Sequence, residues 1–186
     1  MSWITSLWLP TLASAVAIFI ASSLIHMVLP WHKNDYPRLA NEDAVMDALR
    51  PLNVPTGEYF VPRPTSREAL RSPEFIARAN RGPVFILNMM PNGIMPMGKN
   101  LVIWFVYLLV VAFVAGHIAL LAIRPPAEHR RLFHTVGLSA FMGYAFALWQ
   151  MSIWYRRPWM TTLKATIDGF IYALITAEIF ALLWPR

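Results

Sequence analysis

Apolar residues in this chain do not alternate with polar ones but gather in four long blocks, roughly Trp8–Leu29, Leu101–Ile123, Leu132–Tyr155 and Ala165–Pro185. Each is about as long as a helix must be to cross a hydrocarbon core of about 30 Å. The blocks predict transmembrane helices over 8–30, 101–123, 132–155 and 165–185. Inside them small residues recur every fourth position: Ala13, Ala17 and Ala21 in the first, Ala112 with Gly116 and Ala115 with Ala119 in the second. The third carries Thr135, Ser139, Gly143 and Ala147, and the last carries Gly169, Ala173, Ala177 and Ala181. On a helix that spacing stacks small side chains into one groove, where another backbone approaches closely. The four spans are therefore expected to pack as a bundle.

Between the first two blocks, over 31–100, the pattern changes. Nine of the lysines and arginines and seven of the ten acids fall here, with frequent prolines, so this is the segment suited to lie outside the lipid. Asn41–Leu49 has a capping residue followed by acids and then apolar residues, which predicts a short helix ended by Pro51. Glu58–Val61 and Val84–Met90 read as strands introduced by glycine or proline, and Ser66–Arg78 reads as a helix with a basic exposed face. A segment of this size holds little core of its own and is expected to rest on the bundle. The fold class is an all-α membrane protein, a four-transmembrane-helix bundle with a small α+β extramembrane segment between helices 1 and 2.

Composition sharpens this reading. Of 186 residues 57% are hydrophobic and only 14% charged, against about 25% charged in soluble domains. The formal charge of +6 belongs to residues that flank apolar spans, where topology and anionic headgroups account for it and nucleic acid is not needed. The absence of cysteine excludes disulfides, thiolate metal sites and dithiol redox chemistry. The first apolar block lacks a basic n-region and exceeds a signal-peptide core, so it is expected to stay as a span. Lys33, Arg38, Lys99, Arg156, Arg157 and Lys164 flank one face, Arg124, Arg130, Arg131 and Arg186 the other; the balance leans towards a cytoplasmic extramembrane segment.

Polar residues inside the spans are the candidate chemistry, because an acid at membrane depth is unfavourable by roughly 2.5–3.5 kcal/mol unless protonated or partnered. Spans alternate in direction, so counting from each face at about 1.5 Å per residue compares depths. His117 and Glu178 come out at nearly equal depth and are expected to pair. On the opposite face His26, Gln150 and Asp168 form a second polar layer. Two readings stay open: interhelical hydrogen bonds that set register, each worth about 0.6 kcal/mol, or a proton-titrating, ligand-binding or metal-binding site.

Other patterns compete with these layers. Met89, Met90, Met95 and Met97 cluster in NMMPNGIMPM, and His26, Met27 and His32 lie at a membrane interface; thioethers with imidazoles suit copper, above all Cu(I). Arg63, Arg67, Arg71, Arg78 and Arg81 face either phosphate groups or solvent. No P-loop, GxSxG or HExxH motif is present, and no catalytic residue is assigned.

The segments HMVLPWHKNDYPRLANEDAVMDALR, GEYFVP, RGPVFILNMMPNG and DGFIYALITAEIFALLWP resemble a family of small bacterial inner-membrane proteins with four spans and a long first loop, one without an assigned chemistry. The resemblance implies architecture and a bacterial inner-membrane location. The layout is also similar to claudin-type proteins, without their paired cysteines, an analogy of shape alone.

Three functions follow. The first is a non-enzymatic scaffold or accessory subunit, a homo-oligomer or complex member that binds a membrane protein or lipid through its small-residue ridges. The alternative is a copper-handling or small-ligand-handling membrane protein, for instance a transport component. The third is a lipid-acting enzyme with His117 and Glu178 as an acid and base pair.

Overall fold

The computed structural model describes residues 5–123 and 126–185. Arg124 and Arg186, counted above in weighing orientation, lie outside them, as do Pro125 and residues 1–4. The chain divides into two compact units, Met1–Pro37 with Pro96–Arg186, and Arg38–Met95.

In the larger unit α1 (Trp8–Ser23) runs on through a π-helical turn, Leu24–Val28. α4 (Met97–Ala122) is continuous. α5 (His129–Ala145) passes through a 3₁₀ turn at Phe146–Leu148 into α6 (Trp149–Tyr155), and α7 (Trp159–Leu183) closes the unit. All four rods are long and apolar enough to cross a membrane. α1 packs on α4 and α7, and α5 packs on α4 and α7, so α4 and α7 stand across the diagonal. The smaller unit holds α2 (Glu42–Leu49), β1 (Gly57–Val61), α3 (Pro73–Arg81) and β2 (Phe85–Met89). β1 and β2 pair antiparallel, Gly57 opposite Met89 and Val61 opposite Phe85. Asn41 caps α2 through Ala44 N–H, and Ser72 caps α3 through Phe75 N–H. None of residues 38–95 is fully buried, in line with a segment too small for a core.

Small side chains line much of the α4 interior, and large apolar ones cover its outer face. Ala112, Ala115, Gly116 and Ala119 are buried on α4, while Val102, Val106, Val110, Val114 and Leu121 are exposed. A continuous apolar outer face of this kind suits contact with lipid rather than water. Gly169, Ala173 and Ala177 are buried as their spacing suggested. A methyl added at Gly137 would lie 3.1 Å from Ala177 Cβ, and one at Gly169 3.1 Å from Ala145 Cβ, so α5 and α7 approach as closely as glycine permits. At the axis Phe180 fills the space over Gly116.

Three expectations are corrected. The last helix begins at Trp159 rather than Ala165, because Pro158 sits just before its first turn and accepts Thr161 N–H at 3.0 Å; Lys164 is thus helical and one turn before Asp168. The third span is interrupted at Phe146–Leu148. Its buried stripe is Leu132, Val136, Ala140 and Tyr144, not Thr135, Ser139, Gly143 and Ala147; likewise α1 buries Ser14, Ala15, Ile18 and Ser22 while Ala13, Ala17 and Ala21 are half-buried.

Gly116 offers a sharp test of this packing. A Cβ there would collide with the Phe180 ring, itself fully buried, so Gly116→Ala is expected to lose about 1–3 kcal/mol through overpacking. Thermal unfolding in detergent measures it, and Phe180→Leu added to Gly116→Ala should restore part of the loss.

Candidate functional site

Asp168 lies in the third turn of α7, where Gly169 and Tyr172 share its buried face, and it is 4% exposed. A carboxylate so placed needs partners. The first comes from the chain just after α1. Pro30–His32 forms a 3₁₀ turn, and that turn swings His32 back so that Nε2 lies 2.8 Å from Asp168 Oδ2. The other ring nitrogen, Nδ1, lies 2.7 Å from Asp35 Oδ2. Asp35 in turn accepts a hydrogen bond from Lys164 Nζ at 2.8 Å, and the same ammonium stands 5.8 Å above the Trp31 ring, a cation–π distance. Burial raises the Asp35 pKa, but hydrogen bonds from Lys164 and His32 outweigh it and hold that carboxyl below its usual value.

His26 completes the cluster. It sits in the π turn of α1, its ring stacked on His32 at 4.3 Å, with Nε2 3.5 Å from the Tyr172 hydroxyl. His26, His32 and Asp168 each place one ligand-capable atom within 4.8 Å of the others. An imidazole whose two nitrogens both face carboxylates satisfies both only as the doubly protonated cation, or when a carboxyl carries the proton.

Beside it opens a groove of about 610 Å³, lined by His26, Trp104, Tyr107, Tyr144, Asp168 and Tyr172 among others. The four aromatic rings follow one another around it: Trp104 to Tyr107 5.5 Å, Tyr107 to Tyr144 6.1 Å, Tyr144 to Tyr172 5.8 Å, Tyr172 to Trp104 6.2 Å. Two of their polar atoms are committed, Trp104 Nε1 donating to Ser22 Oγ at 3.1 Å and Tyr107 Oη to Gly143 O at 2.7 Å. The buried Tyr144 hydroxyl has no hydrogen-bond partner of ordinary geometry; Thr176 Oγ1, which donates to Tyr172 O, is the polar atom near it. Asp168 also borders a second cavity of about 530 Å³ with Ile25, Trp31 and Ile171, so its carboxyl stands between two openings. Both irregularities of the bundle adjoin the groove, the π turn that carries His26 and the 3₁₀ turn that ends at Leu148.

The sequence-derived layers separate. His26 and Asp168 meet as expected, with His32 between them. Gln150 is exposed, because the 3₁₀ turn rotates α6 so that Ser152 faces inward, 2.7 Å from Thr162 Oγ1. The His117–Glu178 pairing does not form. Glu178 Oε1 lies 3.4 Å from His129 Nε2 in a half-exposed pair, and His117 stacks on Phe113 with Nδ1 buried and unbonded. Equal depth was not sufficient: α4 and α7 are diagonal, with Phe180 between them. Among the methionines Met27 is 74% and Met97 66% exposed, while Met89, Met90 and Met95 belong to the smaller unit, where Met89 is half-buried in β2. Sequence reasoning left out Asp35, Lys164 and the aromatic quartet. The signals were His26, His32 and Asp35 within ten positions, and Lys164 four before Asp168.

No family model, curated protein or solved structure matches the chain, so the resemblance to four-span bacterial proteins stands on the quoted segments.

Lys164 answers a carboxylate that is 7% exposed, so Lys164→Met is expected to lower unfolding stability by about 1–3 kcal/mol by leaving that buried carboxylate with His32 as its remaining partner. Adding Asp35→Asn should recover part of it, a coupling of about 0.5–3 kcal/mol in a double-mutant cycle. Additive losses in detergent melts would disprove the coupling.

Proposed function

We propose that the chain is a multi-pass protein of the bacterial inner membrane that binds a small amphiphile of the bilayer, its apolar body against the aromatic groove and its polar head against His26 and Asp168. The groove carries the reading. A concave apolar wall with a few convergent polar groups is the usual form of a small-molecule site, and here an unbonded buried hydroxyl, Tyr144, offers a donor to whatever enters. The π turn supports it too, since such turns are frequent at functional sites. A scaffold role draws less support, because the small residues of α4 and α7 are taken up inside the bundle and are not left for a partner. His117 and Glu178, lacking each other, give a lipid-acting enzyme no acid and base pair.

Tyr144→Phe separates binding from folding. The lost hydroxyl makes no hydrogen bond of ordinary geometry inside the protein, so melting temperature should change little, while the amount of co-purified amphiphile seen by native mass spectrometry should fall about tenfold, equivalent to about 1.4 kcal/mol. Wild-type protein free of any retained small molecule in mild detergent would refute the reading.

The four-span topology, with the extramembrane segment in the cytoplasm, is tested by cysteines placed in a chain that has none. In spheroplasts an impermeant maleimide should label Arg130→Cys and leave Glu74→Cys unlabelled. Equal labelling of both would overturn an even-handed crossing of the bilayer.

A further inference from the structure

The amphiphile reading requires a polar end to the groove, but not two imidazoles and a carboxylate drawn from separate parts of the chain. His26 comes from the π turn of α1, His32 from the turn that follows, and Asp168 from α7, and their ligand-capable atoms converge within 4.8 Å. His32 is already oriented: Asp35 engages Nδ1 at 2.7 Å and leaves Nε2 aimed at Asp168. A carboxylate on one imidazole nitrogen with the other turned to a shared point is how metal-ligating histidines are usually held. The charges point the same way. Asp35 and Asp168 have side chains only 7% and 5% exposed, and Lys164 is the cation hydrogen-bonded to Asp35. Two acids against one lysine give an entering cation carboxylate oxygen to bind, the proton between His32 and Asp168 leaving as it binds.

We propose that His26, His32 and Asp168 bind a divalent transition-metal ion of borderline character, such as Zn²⁺, Fe²⁺ or Mn²⁺, with Asp35 as the positioning residue for His32. Two imidazoles and a carboxylate favour such ions over Cu(I), which prefers thioether and thiolate sulfur. Bonds of about 2.0–2.2 Å require the donor atoms to draw together from their widest separation, which rotation of the exposed His26 ring permits. Because His26 and Asp168 also line the groove, the ion would border any molecule held there. The site stands apart from the amphiphile reading and can fail without it.

The test uses the full chain, purified in mild detergent on a tag without histidine, stripped with chelator, loaded with Zn²⁺ or Co²⁺ and desalted. About one equivalent of metal is expected to remain. Asp168→Asn and His32→Gln should each reduce it below about a tenth of an equivalent, and Met27→Leu should not change it. Asp35→Asn should weaken Kd by about 10–100-fold without a matching loss of melting temperature, and Asp35→Glu should restore much of the affinity. Wild-type protein that retains less than a tenth of an equivalent overturns the site, as does full retention in both Asp168→Asn and His32→Gln. Should those variants fail to fold, X-ray absorption of Zn²⁺-loaded wild type decides: nitrogen and oxygen neighbours at about 2.0–2.1 Å with imidazole scattering support the site, and a sulfur shell or no imidazole refutes it. Amphiphile measured in the same preparations keeps the two proposals separate, since its retention without metal removes only the ion site, and metal without amphiphile removes only the other.

Discussion

The carboxylate of Asp168, 4% exposed on a helix built mostly of apolar residues, is the constraint that organises one whole end of the bundle. Left alone it would be too costly to bury. The chain answers it by turning back after α1, so that His32 reaches its oxygen, and by bracing His32 with Asp35 and Asp35 with Lys164. Four polar side chains from two stretches of sequence, 32–35 and 164–168, thus hold one another, and the chain segments that carry them are fixed together.

That polar end is compatible with the rest because the remaining length of the bundle is held by shape. Gly137 and Gly169 let α5 and α7 meet where an added methyl would make a tight contact, and at Gly116 an added methyl would collide with the Phe180 ring of α7. Without a hydrophobic driving force between helices in lipid, such close contact is a main source of attraction. Tight packing along α5 and α7 contrasts with the break at Phe146–Leu148 and the π turn at Leu24–Val28. Those two departures from regular helix coincide with the groove, where the aromatic quartet leaves space that smaller residues elsewhere have closed.

The geometry shifts weight among the functions that composition leaves open. Small-residue ridges read from sequence suggest surfaces for partners, but on α4 and α7 they are interior and already occupied. Methionines and histidines suggest copper, yet Met27, next to His26, is turned outward, and the third member converging on the two histidines is a carboxylate. Soft sulfur chemistry gives way to nitrogen and oxygen chemistry. A groove with a polar, hydrogen-bonded end remains, and the proposed small-molecule reading rests on it.

The pattern of apolar blocks by itself determined the four rods, their approximate ends, and the small α+β segment between the first two, because helix length and hydropathy are local properties that lipid thickness makes stringent. It also placed His26 and Asp168 in one layer. What only the tertiary structure decided was direction around each helix axis. Depth is counted along the chain, whereas azimuth depends on which helices become neighbours and on irregular turns that rotate a face. This is why Gln150 points outward after the 3₁₀ turn, why Glu178 meets His129 rather than His117, and why Lys164 and Asp35, ordinary connection residues in the sequence, stand beside the buried acid.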